Sequence, residues 1–200
     1  MNEEMTWVIQ AQQGNDDAFT HLVETYQTPV YNLCYRMLGE PESAEDAAQE
    51  TFLRAFQNLN RYDQSRPFAT WLLSIAAHYC IDRLRKRKFA VFSMDEDNED
   101  GSPFELPDPA SPNPENESVK REDHDRLHIL LQSMDETDRA AIVMRYWYDF
   151  SEIEIAESLR LTVSAVKSRL HRARRELAGN WAEETARPKT QRRPHESLAF

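Results

Sequence analysis

The sequence predicts an all-α protein of two small helical units, and three observations carry that expectation. Apolar residues recur at spacings of three and four in two separate blocks, 16–88 and 127–177. Helix-start signals stand within each block, at Ser43 and again at Ser151. Between the blocks, residues 93–125 read SMDEDNEDGSPFELPDPASPNPENESVKREDHD, which holds five of the ten prolines and little that could join a core.

A chain of 200 residues suits one large domain or two small ones, and a single core would not tolerate so long a polar interruption. The expected organisation is therefore a first unit over 1–92, a disordered acidic linker over 93–125, a second unit over 126–178 and a flexible tail over 179–200. Charge follows the same division. Residues 89–125 carry twelve acidic and two basic groups, so this stretch supplies −10 of the net −11. The units themselves are nearly balanced, and each has a basic cluster, RLRKRK at 83–88 and KSRLHRARR at 167–175, where an anionic polymer could bind. No run approaches the roughly 18 apolar residues of a bilayer span, and MNEEMTWVIQ lacks the layout of a secretory signal, so a cytoplasmic protein without membrane insertion is expected. Cys34 and Cys80 are too few for a zinc cluster or disulfide framework and sit in apolar helical registers, as buried thiols do.

In the first unit, Phe19, Leu22, Val23, Tyr26, Val30, Leu33, Cys34, Met37 and Leu38 form one face of a helix from Asp16, which Gly39 stops. Pro29 lies inside this run and should kink or divide it near Gln27. Ser43-Ala44-Glu45-Asp46 predicts the start of a second helix through Ala48, Phe52, Ala55 and Phe56, with Glu45, Asp46, Gln49 and Glu50 on its outer face. After the polar turn NLNRYDQSR, Pro67 suits the start of a third helix, whose stripe is Phe68, Trp71, Leu72, Ile75, Ala76 and Tyr79. That helix is expected to end in RLRKRK. Five cations in six residues exceed what a helix dipole needs, which favours phosphate binding over a merely solvated end.

In the second unit, Leu127, Leu130, Leu131 and Met134 make an amphipathic helix, and Asp135 to Asp138 can cap the next, whose body is Ala141 to Tyr148. Ser151-Glu152-Ile153-Glu154 is a capping box opening a short helix to Leu159, and Thr162 can cap a last helix to about Leu177. On that helix Val163, Val166, Leu170, Ala173 and Leu177 face inward. Ser164, Lys167, Ser168, His171, Arg172 and Arg175 share the opposite side. A short helix, a tight turn and a helix with a cationic outer face is the helix-turn-helix layout.

Two stretches then resemble one family. SAEDAAQETFLRAF (43–56) and RPFATWLLSIAAHYCIDRLRKRK (66–88) resemble region 2 of extracytoplasmic-function sigma factors, and MDETDRAAIVMRYWYDFSEIEIAESLRLTVSAVKSRLHRARREL (134–177) resembles their region 4. Region 3 of the larger sigma factors has no counterpart. The resemblance implies an alternative sigma factor whose partners are bacterial core RNA polymerase, promoter DNA and an anti-sigma factor. It implies that Asp46, Gln49 and Glu50 hold the clamp helices of the largest polymerase subunit. It places Asn60, Arg61, Tyr62 and Asp63 in the loop that captures a flipped minus-ten base, with Tyr62 as a stacking surface. It further places His78, Arg83, Arg85 and Arg87 against minus-ten DNA, with His78 where the family usually has Asn. Ser164, Lys167, Ser168 and Arg172 would read the minus-thirty-five element, while Arg169, Arg174 and Arg175 would meet phosphates. Arg160 replaces the usual glycine of the turn.

Two other readings stay open from the residues alone: a sigma-like mimic that titrates an anti-sigma factor, and an ordinary helix-turn-helix regulator. Cations on the last helix speak against the first, and the acidic 45–50 face against the second. No glycine-rich phosphate loop, metal-ligand spacing or nucleophile with a base is visible, so no catalytic residue, metal or cofactor is expected. The linker composition predicts that amide hydrogen exchange in the free protein will find residues 93–118 unprotected; protection equal to that of the helices would move the boundary between the units.

Overall fold

The computed structural model describes residues 3–94 and 125–186, which are helical throughout apart from short turns. The expected linker, except for its edges at Ser93, Met94 and Asp125, lies outside the described residues, as does the tail beyond Ala186.

The first unit packs α1 (Glu3–Gln12), α2 (Asp16–Leu38), α3 (Pro41–Asn58) and α4 (Phe68–Met94), with a 3₁₀ turn at Leu59–Arg61. The Asn15 side chain caps α2 by accepting from Ala18 N, and Gly39 ends it at φ 87°, a left-handed conformation that costs glycine little. Of the two outcomes expected at Pro29, a kink or a division, division does not occur: α2 is one continuous helix. The carbonyl that Pro29 cannot satisfy is that of Thr25, an exposed residue open to water, while Leu22, Val30, Leu33 and Met37 on either side are buried. The start of α3 also differs. No capping box forms at Ser43: Pro41 begins the helix from Glu40, because its fixed φ suits the first turn, and Ser43 Oγ instead donates to Glu40 Oε2 at 3.1 Å. Ala44, Ala47, Ala48 and Ala55 are buried, so this helix meets its neighbours closely. Helix α4 passes through RLRKRK to Met94, so these cations lie along its body and not at its end. Nothing in Phe89-Ala90-Val91-Phe92 breaks a helix, and the dipole account of the cluster therefore fails.

The second unit comprises α5 (125–133), α6 (Glu136–Trp147), α7 (Glu152–Leu159) and α8 (Val163–Ala186). Asp135 caps α6 through Thr137 N and Asp138 N, Ser151 and Glu154 complete the capping box of α7, and Thr162 Oγ1 accepts from Ala165 N at the head of α8. Helix α8 outruns the expected boundary at 178: Arg126 of α5 stacks over Trp181, 5.2 Å to the ring centroid, and helix-compatible residues continue to Ala186.

The units are docked on one another. Arg139 of α6, 4% exposed, donates to Met37 O at the end of α2, and to Gln132 Oε1, Gln132 O and Met134 O around the end of α5. Burial pushes its pKa down to about 10, so it remains cationic at neutral pH. Around it, Tyr148 donates to Pro29 O at 2.6 Å, Gln132 Nε2 donates to Arg36 O at 3.1 Å, and His128 stacks on Tyr35. Glu136 takes both Arg85 (3.2 Å) and Lys88 (2.6 Å) from α4. Burial alone would raise the Glu136 pKa, but these cations outweigh it and hold the carboxyl below the usual range. Its contribution is therefore complete above the ordinary glutamate value of about 4.3 and is lost as pH falls through the lowered folded value.

Arg139→Ala should lower unfolding free energy by about 3 kcal/mol, because several buried acceptors lose their donor together. Arg139→Lys should recover less than half of that, since an ammonium lacks the planar fork. Urea titrations of the three chains check this, and a cost under about 1 kcal/mol for the alanine variant would remove Arg139 from its place at the centre of the docking.

Candidate nucleic-acid interface

Three surfaces carry the residues singled out by sequence. The first is a groove of about 510 Å³ between α3 and α4, lined by Asp46, Gln49, Glu50, Leu53, Tyr79 and Arg83. One helix face supplies Asp46, Gln49, Glu50 and Leu53 because they stand three or four residues apart. The carboxylates have partners of their own: Asp46 faces Arg83 at 3.6 Å and Glu50 holds Arg54 at 2.7 Å. Both pairs are solvent-facing and therefore weak enough to exchange for a partner's cation. Leu53, half exposed, adds an apolar contact that sequence reading did not single out.

The second surface is a cleft of about 430 Å³, into which Asn58, Arg61, Trp71, His78 and Asp82 of the first unit project together with Arg160 of the second. The carbonyl of Ser74 can only accept, so His78 Nδ1 donates to it at 2.9 Å. The loop over 60–65 is held from a place that sequence reading missed. Gln12 at the end of α1 donates to Leu59 O (2.9 Å) and Tyr62 O (3.3 Å), and receives Gln64 Nε2 at 2.7 Å. Asp63 accepts from Ser65 N at 2.9 Å, and that bond keeps its carboxyl below the ordinary range. Asn60, Arg61 and Asp63 are exposed. Tyr62, expected as a stacking surface, is only 5% exposed: its ring packs against Phe68 and Trp71, and its hydroxyl donates to Arg66 O. Half-buried Trp71 is the aromatic that reaches the cleft.

Four of the five cations in the RLRKRK run of α4 are engaged within the protein. Arg85 and Lys88 meet Glu136, Arg87 meets Glu40 at 3.1 Å, and Arg83 turns toward Asp46 and Ser43, into the first groove.

The third surface is the outer face of α8. The turn before it holds Arg160 at φ 54°, ψ 45°, so the position where glycine would be easiest does take the left-handed conformation. Ser164, Lys167, Ser168, His171, Arg172, Arg174 and Arg175 are exposed on α8. Lys167 lies 3.6 Å from Glu152, and Arg174 donates back to Leu170 O. Arg169 is different: it is only 30% exposed and turns inward to Asp138 and Asp135. Arg172 also donates to Asp138, an acid that sequence reading treated only as a possible cap. No periodicity signals a pairing across 34 positions.

Cys34 and Cys80 are buried free thiols, as expected. Among the described residues, no helix is long and apolar enough to cross a membrane.

Residues 22–90 match the Sigma-70 region 2 family and residues 124–177 the Sigma-70 region 4 family. The ECF RNA polymerase sigma factor SigW of Bacillus subtilis strain 168 is 37% identical over 173 residues, covering 85% of this chain and 92% of that protein. The RNA polymerase sigma-H factor of Pseudomonas aeruginosa is 32% identical over 171 residues, covering 84% and 88%. The structure of CnrH in complex with the cytosolic domain of CnrY has the same fold, with a TM-score of 0.65 over 90% of this chain and 97% of that one at 24% identity. With both conserved regions present in order and a relative of this similarity over nearly its whole length, the chain belongs to the ECF sigma factors of the sigma-70 family.

Proposed function

We propose that this protein binds bacterial core RNA polymerase in the cytoplasm and directs it to specific promoters, under the control of an anti-sigma factor, without catalysis of its own. One observation carries the reading: the α3–α4 groove, the cleft beside Trp71 and the outer face of α8 are separate surfaces on one chain, with chemistries suited to an arginine-bearing protein partner, to opened DNA and to duplex DNA respectively.

In the groove, Asp46, Gln49 and Glu50 would accept from guanidinium groups of the clamp helices, where charge-assisted bonds are directional, and Leu53 would cover their apolar stems. In the cleft, Trp71 offers a ring face to an unstacked base, and Asn58, Arg61, His78 and Asp82 line it with polar groups, while Asn60 and Asp63 are exposed on the adjoining loop. On α8, Ser164, Lys167 and Ser168 stand nearest the N-terminal end of the recognition helix, the end that reaches base edges in a helix-turn-helix complex. Arg174 and Arg175 lie about two turns further on, where phosphates are met.

The docked arrangement has to open for this work. The minus-ten and minus-thirty-five elements are about 25 base pairs apart, or about 85 Å along B-form DNA at about 3.4 Å per pair. Helices α4 and α7 touch each other. The 30 residues between Met94 and Asp125 give a reach of up to about 100 Å when extended, enough for both elements to be held at once. Opening would break the Glu136 bridges and free Arg85 and Lys88 for the promoter backbone, together with Arg87 once it exchanges Glu40 for phosphate. An anti-sigma factor that stabilised the docked form would keep these cations occupied.

Asp46→Arg combined with Glu50→Arg should abolish co-purification with core polymerase while leaving the helical circular dichroism intact. The unsubstituted chain should confer template-specific starts on core polymerase in vitro across a genomic promoter library. If core binding is unchanged by the double substitution, the groove is not the polymerase site. If no specific starts appear, the sigma-like mimic becomes the better reading.

On the promoter side, Lys167→Ala in the reconstituted holoenzyme should cost on the order of 1 to 3 kcal/mol on the preferred minus-thirty-five sequence and relax discrimination at one position. Arg175→Ala should weaken all duplexes alike and make the salt dependence shallower by about one unit of slope. Binding across a duplex panel at several salt concentrations separates the two, and identical behaviour of both variants would require the recognition face to be rotated.

A further inference from the structure

Asp138 stands on α6, outside the three surfaces described above, yet it lies under Arg169 and Arg172 of α8. Its carboxylate sits in the first turn of α6 and is 3% exposed. Oδ1 accepts from Arg169 Nη1, and Oδ2 accepts from Arg172 Nε at 3.0 Å and from Arg172 Nη2. A carboxylate at this depth needs such partners, since an unpaired one is strongly disfavoured away from water. The same bonds fix the arginines that make them.

The two arginines are fixed to different ends. A guanidinium has five N–H donors in a planar fork, with one edge formed by Nε and one terminal nitrogen and another formed by the two terminal nitrogens. Asp138 occupies the Nε edge of Arg172 and leaves the terminal edge. That terminal edge is the one that fits the paired acceptors O6 and N7 of guanine in the major groove. Arg172 is still 61% exposed although one edge is tied, so the held fork is presented outward. Arg169 is only 30% exposed and also lies 3.5 Å from Asp135, so it is drawn into the body of the unit.

We propose that Asp138 is a positioning residue for promoter reading: it holds the Arg172 fork with its terminal edge outward to read one guanine, and Arg169 braces the carboxylate without touching DNA. This rests on α8 being the minus-thirty-five helix. A fork held in place before binding loses less rotamer freedom on contact, so the gain appears in base discrimination. A carboxylate beneath the fork also offsets part of its charge, so the gain does not extend to DNA of any sequence.

The test uses holoenzyme reconstituted from core polymerase and the full chain, measured on duplexes altered one base at a time in the minus-thirty-five element and on a non-promoter duplex. Asp138→Asn should reduce discrimination about tenfold at a single position, the same position that Arg172→Ala loses. Non-promoter affinity should not fall, and the salt dependence should become no shallower. In an Arg172→Ala background, Asp138→Asn should have no further effect on discrimination. Should Asp138→Asn compromise folding, Asp138→Ala with Arg169→Leu removes the buried acid and its brace together, and the same ratios are read. Equal weakening on every duplex, or intact discrimination in a chain where Arg172→Ala abolishes it, overturns the proposal. If Arg172→Ala itself leaves every position unchanged, the base-reading assignment of Arg172 fails, which is a different result from failure of Asp138 to position it.

Discussion

The docked form of this protein depends on where it keeps one buried positive charge. Arg139 has carbonyl and amide oxygens as acceptors, not a carboxylate, and two of the helices it closes end at it. The C-terminal end of a helix carries unsatisfied carbonyls and a partial negative charge, so a guanidinium among several such ends is stabilised without a formal counter-ion. The match is incomplete, because Nε is buried with no hydrogen-bond partner. A cation so placed is favourable only while α2, α5 and α6 are assembled around it. Separation of the units returns it to water, which hydrates it well, and the docking is thereby kept from being irreversible.

A second consequence concerns the charge balance. The chain is acidic overall, yet several of the cations on its candidate DNA-facing surfaces already have acids beside them: Arg83 with Asp46, Arg85 and Lys88 with Glu136, Arg87 with Glu40, Lys167 with Glu152 and Arg172 with Asp138. For these residues, meeting a nucleic acid is an exchange of one anion for another. Exposed pairs such as Arg87–Glu40 exchange readily, since each is worth at most about 1 kcal/mol. Glu136 and Asp138 are nearly buried and release their partners less easily. Occupied cations of this kind limit unselective adhesion to the large excess of non-promoter DNA in a cell.

Periodicity made most of the fold legible, and local chemistry placed the second unit well: Asp135, Ser151 with Glu154, and Thr162 all cap the helices they were expected to cap. Errors arose where tertiary contacts overrode local signals. Helix α1 is only ten residues long and buries only Val8 and Ala11, too short a stripe to read, although Gln12 at its end holds the 60–65 loop. Pro29 did not break α2 because the residues flanking it are core. Tyr62 sits in a polar loop, and only the positions of Phe68 and Trp71 decide that its ring goes inward. The candidate interface was legible as residue types on helix faces, whereas Glu136, Asp138 and Arg139 act through partners dozens of positions away.

Helix α4 runs unbroken for 27 residues from Phe68 to Met94, a rod of about 40 Å at about 1.5 Å per residue. It carries Trp71 and His78 near one end and Arg85 and Lys88 about two to four turns further on. Trp71, His78 and Arg85 fall within about 40° of one another around its axis, and Lys88 lies about 60° further round. Insertion or deletion of one residue between His78 and Arg85 would turn every cation beyond it by about 100° relative to the aromatic end, so related chains can vary residue identity along this rod far more freely than they can vary its length.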